Sequence, residues 1–263
     1  RKNAHSVTIE ASSLVWAGGQ ESEFGRVTVS VRELDTKAIF SINASTKQVI
    51  RRVKLVFHDL PKMKLINMRE SSSVEITAEG LYLKYPQGWY HMSTPLIVGR
   101  VDENRYIYAR SLDEQVREKH FVFQENNNAT RMELIFEDDA VVQSSDIVVA
   151  PWEMGWVTDP EQIYREQTDF VKSAYNLSTW EERADVPDWM REISLVAAIH
   201  MQHWSGHIFN DYYEALEKLK HLNKRISGNR ILAYLPGWEG RYYYDYGTYV
   251  PDVRMGGEEG FKE

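Results

Sequence analysis

The sequence predicts a multidomain chain, β then α/β: an antiparallel β-sandwich, a connecting helix and the opening β–α–β unit of a parallel sheet or barrel. Three observations predict it. Residues 5 to 152 read as short segments of alternating apolar and polar residues separated by turn signals, the pattern of strands with one wet face. At Asp159-Pro160 the pattern changes to helical periodicity. Two continuous apolar runs, Ile193 to Ile199 and Ile231 to Leu235, then flank an amphipathic stretch, as expected of parallel strands buried on both faces and joined by a helix.

In the first part, Phe24 to Val31, Val74 to Ala78 and Met132 to Phe136 alternate cleanly. Gly18-Gly19, Asp59 to Pro61, Asp102 to Asn104 and Asn126 to Asn128 supply the turns. About ten strands of this kind make a sandwich, assigned to residues 1–156. Leu81 to Trp89 and Trp152 to Trp156 are dense in aromatics. They read as core or domain interface in preference to exposed sugar-stacking rings, because large aromatics are mostly buried.

Asp159 as a cap with Pro160 at the first helical position opens a helix with Ile163, Tyr164, Phe170, Val171, Ala174 and Tyr175 on one stripe. With the charged, turn-rich piece Ser178 to Asp188 it forms a helical linker, residues 157–188. Residues 189–263 hold the β–α–β unit. Its helix spans about Asp211 to Ile226, with Tyr212, Ala215, Leu216, Leu219, Leu222 and Ile226 at helical spacing, Asn210 or Asp211 as cap, and Gly228 beyond the end. Gly256 to Gly260 lacks the spacing of a phosphate loop and reads as a helix start.

A net charge of -8 excludes a general nucleic-acid binder, which needs clustered excess Lys and Arg. The basic stretch Lys47 to Lys64 alternates and reads as a solvated strand face. Without cysteine the chain has no disulfide, no thiolate metal site and no cysteine nucleophile. Its longest apolar runs, about seven residues, are too short to span a bilayer, so no membrane partner is expected. The sequence opens on Arg1, which suggests processing or excision from something longer; secreted, periplasmic and cytoplasmic locations all stay open, and oligomeric state is not legible.

Ligands of parallel β/α units sit beyond the carboxyl ends of the strands, so the candidates are His200 to Trp204 and Gly237 to Asp245. His200, His203 and His207 invite a metal reading, but strand positions three apart face opposite sides; ordinary hydrogen bonding is expected, with no metal and no cofactor. The loop from Gly237 to about Met255 is long enough to be a binding loop. Trp204, Trp238, Tyr243 and the neighbouring tyrosines offer flat faces for the apolar side of a sugar ring, and Glu239, Arg241 and Asp245 can bond its hydroxyls. Carbohydrate is the expected partner. Glu239 with Asp245 cannot be shown to meet the separation required of a glycosidase pair.

The β-sandwich, the connecting helix, and a second strand ending in Leu235-Pro236-Gly237-Trp238 ahead of Asp252-Val253-Arg254-Met255-Gly256-Gly257 resemble bacterial glycoside-hydrolase-like proteins. In these a galactose-mutarotase-like sandwich precedes a (β/α)8 TIM barrel, as in α-glucosidase, α-galactosidase and endo-α-N-acetylgalactosaminidase relatives. The resemblance implies that His203, Trp204, Trp238 and Glu239 line the sugar site, while two catalytic carboxylates come from later strands. Metal-dependent barrel hydrolases instead resemble one another in an H-x-H pair, whose second position here would be Gln202. A TIM barrel takes about 250 residues, and only 75 follow from Trp189. The expectation is the front part of a longer glycosidase with its catalytic pair beyond residue 263; a non-catalytic carbohydrate-binding or structural protein is the alternative.

Overall fold

The computed structural model describes residues 5–16, 21–68, 71–86, 92–139, 141, 144–240 and 249–263. The chain divides into two compact units, 1–177 and 178–263.

The first unit is built of strands β1 (Ser6–Trp16), β2 (Glu21–Leu34), β3 (Lys37–Thr46), β4 (Arg52–Pro61), β5 (Lys64–Met68), β6 (Ser71–Glu75), β7 (Leu81–Tyr85), β8 (Leu96–Arg100), β9 (Tyr106–Ser111), β10 (Lys119–Asn126), β11 (Ala129–Glu137) and β12 (Asp146–Val157). One sheet runs β1-β2-β3-β12-β9-β8-β5-β6 and the other β4-β11-β10-β7, every pairing antiparallel. Strand alternation decides the core. Phe121 and Phe123 of β10, Leu134 and Phe136 of β11, and Leu83 and Tyr85 of β7 meet Ile42, Leu65, Ile97, Ile107 and Trp152 of the larger sheet. Trp152 is fully buried and edge-on to Phe121, ring centroids 5.5 Å apart. The aromatic-dense segments are therefore core at Leu83, Tyr85 and Trp152, with Tyr82 and Trp156 left exposed.

Asn127 and Asn128 turn the β10–β11 hairpin with φ of 47° and 64°, the left-handed pair of a primed two-residue turn. The turn expected at Asp59 to Pro61 is absent: β4 runs on to Pro61, which pairs with Ala129. Asp59 takes φ 57° where the register slips between Thr130 and Met132, so a bulge absorbs the turn-forming residues. Pro151 is accommodated the same way, within the slip between Val149 and Trp152 of β12.

Helix α1 (Pro160–Ala174) starts as read, Asp159 accepting the Glu161 N–H at 3.0 Å. Ile163 seats against Leu96, Val98 and Tyr108. The next buried position on the stripe is polar: Gln167 donates to the Thr94 hydroxyl at 3.2 Å. Around this seat lies a partly buried ionic latch, with Arg110 2.8 Å from Glu153, Lys37 3.2 Å from both Glu153 and Glu166, and the Tyr108 hydroxyl donating to Glu153 at 3.0 Å. Burial would raise the Glu166 carboxyl, but hydrogen bonds from Gln162 and Lys37 overrule it and hold the group below the usual range. At Asp113, Glu133 and Glu137 burial is likewise overruled by cationic partners.

These depressed carboxyls predict acid sensitivity with a definite sign. Their stabilisation is fully present above the unfolded carboxyl range of about 4 and is lost as pH falls through the lower folded values. Urea midpoints recorded by the aromatic signal of the sandwich should be flat from about pH 7 to 5 and drop steeply below about 4. A midpoint unchanged down to pH 2 would sink this reading.

The second unit contains α2 (Asp188–Arg191), β13 (Leu195–Ala198), α3 (Tyr212–Asn223), β14 (Ile231–Tyr234) and α4 (Gly257–Lys262). β13 and β14 pair in parallel, Leu195 opposite Ile231 through Ala198 opposite Tyr234, the one parallel pairing among the described residues. Asp211, rather than Asn210, caps α3 in a reciprocal capping box with Glu214. The expected burial of both strand faces is not found. Val196 and Tyr234 are each 59% exposed, and the small core lies on one side, around Ile199, Met201, Tyr212, Ala215 and Met255. Within these 263 residues a single helix covers one face of the two strands.

Candidate functional site

The site lies beyond the carboxyl ends of β13 and β14. Pairing continues past both strands, the Ile199 N–H donating to the Tyr234 carbonyl and the Met201 N–H to the Pro236 carbonyl, each at 2.9 Å. After Met201 the chain makes a small hairpin. Gln202 bridges Ile208, and the His203 N–H donates to the His207 carbonyl at 2.8 Å. Gly206, at φ 88°, turns its tip.

The three histidines gather round one ring. Phe209 lies with its centroid 5.0 Å from His200, 5.9 Å from His203 and 4.8 Å from His207. His200 Nε2 donates to the Gln202 carbonyl at 3.0 Å. His203 Nδ1 lies 2.8 Å from the Ser205 hydroxyl and 3.3 Å from the Ser205 N–H, so both polar groups of Ser205 orient the ring. Trp204 is 63% exposed, its ring 5.2 Å from that of His203.

After β14, Gly237 crosses the Gln202 backbone so closely that a Cβ on it would lie 2.4 Å from the Gln202 oxygen. Trp238 is half-buried against the small core and stacks on Phe261, centroids 4.8 Å apart and planes at 23°. Its carbonyl accepts the Tyr212 hydroxyl at 2.5 Å, and the same hydroxyl accepts the Asp252 N–H at 2.8 Å. Burial raises the Tyr212 phenol, in keeping with a hydroxyl that stays protonated to donate. Glu239 accepts the Tyr249 N–H at 3.1 Å. Arg254 is clasped by Asp252, closest contact 2.6 Å, and donates to the buried Gln202 side chain at 3.0 Å. The Arg254 hydrogen bonds hold the Asp252 carboxyl below its usual range.

Of the residues singled out from sequence, His203 and Trp204 share the first loop, and Trp238 and Glu239 the second. Arg241, Tyr243 and Asp245 lie outside the described residues. Sequence reasoning placed Gln202, Asp252 and Arg254 within the candidate stretches and Tyr212 on the packing face of the helix, but missed the contacts by which these four join the two loops. Their links run over separations of 26 to 52 residues, and no local spacing encodes them. Only the two glycines at φ 78° and 73°, Gly237 and Gly240, hint at close backbone approach. The arrangement is suited to binding. The Glu239 and Asp252 carboxylates are engaged by loop N–H groups and Arg254.

No protein-family model matches the sequence, and no curated protein matches it either. Solved structures do match. The α-N-acetylgalactosaminidase NagBb of Bifidobacterium bifidum, ligand-free, superposes with a TM-score of 0.59 at 12% identity, covering 99% of this chain and 48% of that one. Its GalNAc complex gives 0.59 at 13% identity with the same coverage. The GH36 α-galactosidase AgaA of Geobacillus stearothermophilus, solved with stachyose, reaches 0.40 at 10% identity over 99% of this chain and 42% of its own, too loose to fix a shared fold. The chain thus spans about half the length of the NagBb structures it matches, and its fold, with its antiparallel β-sandwich, is similar to that of the matching half of NagBb.

Proposed function

We propose that this chain forms the front part of a glycoside hydrolase, in which the β-sandwich precedes the first β–α–β unit of a TIM barrel. Two carboxyl groups from later barrel strands would perform the acid/base chemistry. The observation that carries the reading is the order of parts: a sandwich followed by a parallel β–α–β unit, matching NagBb over 99% of this chain. The substrate is a glycan. Trp204 would supply an exposed aromatic ring with the His203 imidazole beside it, Trp238 and Glu239 contacts from the second loop, and Arg241, Tyr243 and Asp245 further stacking and hydrogen-bonding groups.

The test is an assay of the gene product that carries this sequence on an aryl α-N-acetylgalactosaminide, the substrate type suggested by the NagBb likeness. Turnover is expected there and not from residues 1–263 alone. Robust turnover by the 263-residue chain, lost on Glu239→Gln, would show the chemistry to be misplaced. Sugar binding without turnover in the gene product would favour the non-catalytic alternative.

The two tryptophans should separate in the same protein. Trp204→Ala is expected to leave stability within about 0.5 kcal/mol, as for an exposed side chain, and to weaken sugar binding several-fold. Trp238→Ala should lower stability by about 2 to 4 kcal/mol, somewhat below the full cost of deleting a buried indole. Thermal unfolding and calorimetry with GalNAc read both, and equal stability losses would contradict the assignment.

A further inference from the structure

On the outer face of the smaller sheet, far in sequence from the loops above, Glu118, His120 and Glu137 bring one ligand atom each to within 4.8 Å of one another. Glu118 immediately precedes β10, and its neighbour Lys119 pairs with Phe136 of β11, so Glu118 and Glu137 face each other across the strands. Two like charges opposite one another destabilise a sheet unless a cation lies between them. What lies between them is His120 Nε2, 3.0 Å from Glu118 and 3.1 Å from Glu137. One N–H cannot point well at two carboxylates, whereas a metal ion at that point would bond all three atoms.

The histidine is also held as a ligand histidine is held. It is 2% exposed although it belongs to the outward face, with buried Ile135 directly across from it. The Tyr82 hydroxyl contacts its Nδ1, fixing the ring with Nε2 toward the carboxylates. Zinc bonds of about 2.0 to 2.2 Å at tetrahedral angles set donor atoms about 3.3 Å apart, and the N···O separations here need a few tenths of an ångström to reach that. Lys84 at 2.6 Å from Glu118 and Arg52 at 2.7 Å from Glu137 occupy the outer sides of the same oxygens. Both are long and partly exposed, so they can withdraw to solvent when the ion supplies the positive charge.

We propose that Glu118, His120 and Glu137 form a binding site for a divalent transition metal, zinc or a near neighbour, that ties β10 to β11 with Tyr82 of β7 behind the histidine. An imidazole among the donors favours such an ion over calcium or magnesium. Solvent completes its coordination.

The experiment is zinc titration of chelator-treated protein by calorimetry, with the thermal midpoint recorded alongside. One equivalent should bind saturably and raise the midpoint. Glu118→Gln and Glu137→Gln should each weaken binding at least tenfold while the apo fold is retained, and Lys84→Met should tighten it several-fold by removing a competing cation. No saturable binding at 1 mM free zinc overturns the proposal. So does zinc binding untouched by the double Glu118→Gln/Glu137→Gln change, above all if His203→Ala abolishes it.

Discussion

Asp113→Ala should cost about 3 to 5 kcal/mol of stability, the scale for stripping a buried charge of its counter-ion. The Lys119 side chain is fully buried, its ammonium 2.7 Å from Asp113 and 2.8 Å from the Arg117 carbonyl, over the rings of Tyr85 and Phe136. Burial lowers the lysine, and Asp113 opposes the shift through its hydrogen bond and charge. Removing the carboxylate leaves an unpaired ammonium among aromatics. The pH dependence has a definite sign. A lysine lowered in the fold is penalised while protonated, so the deficit should shrink as pH rises through its folded value toward the unfolded one near 10.4. Urea denaturation at pH 7 and at pH 9.5 checks both statements. A loss under about 1 kcal/mol at pH 7, or one that grows at pH 9.5, would show that the pair does not hold the core.

How legible the fold was depends on whether the stabilising contacts are local. The strands declared themselves, because Val27, Val29 and Val31, or Met132, Leu134 and Phe136, alternate within one segment. Helix α3 did too, since Asp211 and Glu214 complete their cap within three residues. The turn at Asp59 did not survive because its outcome depends on β11, more than 70 residues away, where the bulge forms. Nothing near Lys119 in sequence announces a buried ammonium over the rings of Tyr85 and Phe136. At the site, position beyond a strand end was legible and exposed His203 and Trp204 as candidates. Which side chains brace the loops was not: Tyr212 serves both Trp238 and Asp252 from the first turn of a helix whose visible role was packing.

Gly237→Ala should cost about 2 to 4 kcal/mol and unfasten the candidate site while leaving the sandwich intact. The residue sits at φ 78°, where an L side chain is strained by about 1 kcal/mol or more. Its added Cβ would meet the Gln202 oxygen at 2.4 Å and the Gln202 nitrogen at 2.8 Å. Both are backbone atoms of the other loop, so no side-chain rotation relieves the clash, and an overpacking cost of about 1 to 3 kcal/mol adds to the strain. The cheapest escape is to part the two loops. That would break the bond from Met201 to Pro236 and draw Gln202 away from Arg254. Amide exchange should therefore accelerate at Ile199 and Met201 with β10 and β11 unchanged, because the second unit is compact in its own right. Sugar affinity should fall with it, since His203 and Trp204 ride on the loop that is displaced. Protection at Met201 equal to that of the parent protein would mean that the crossing of Gly237 and Gln202 does not fix the geometry of the site.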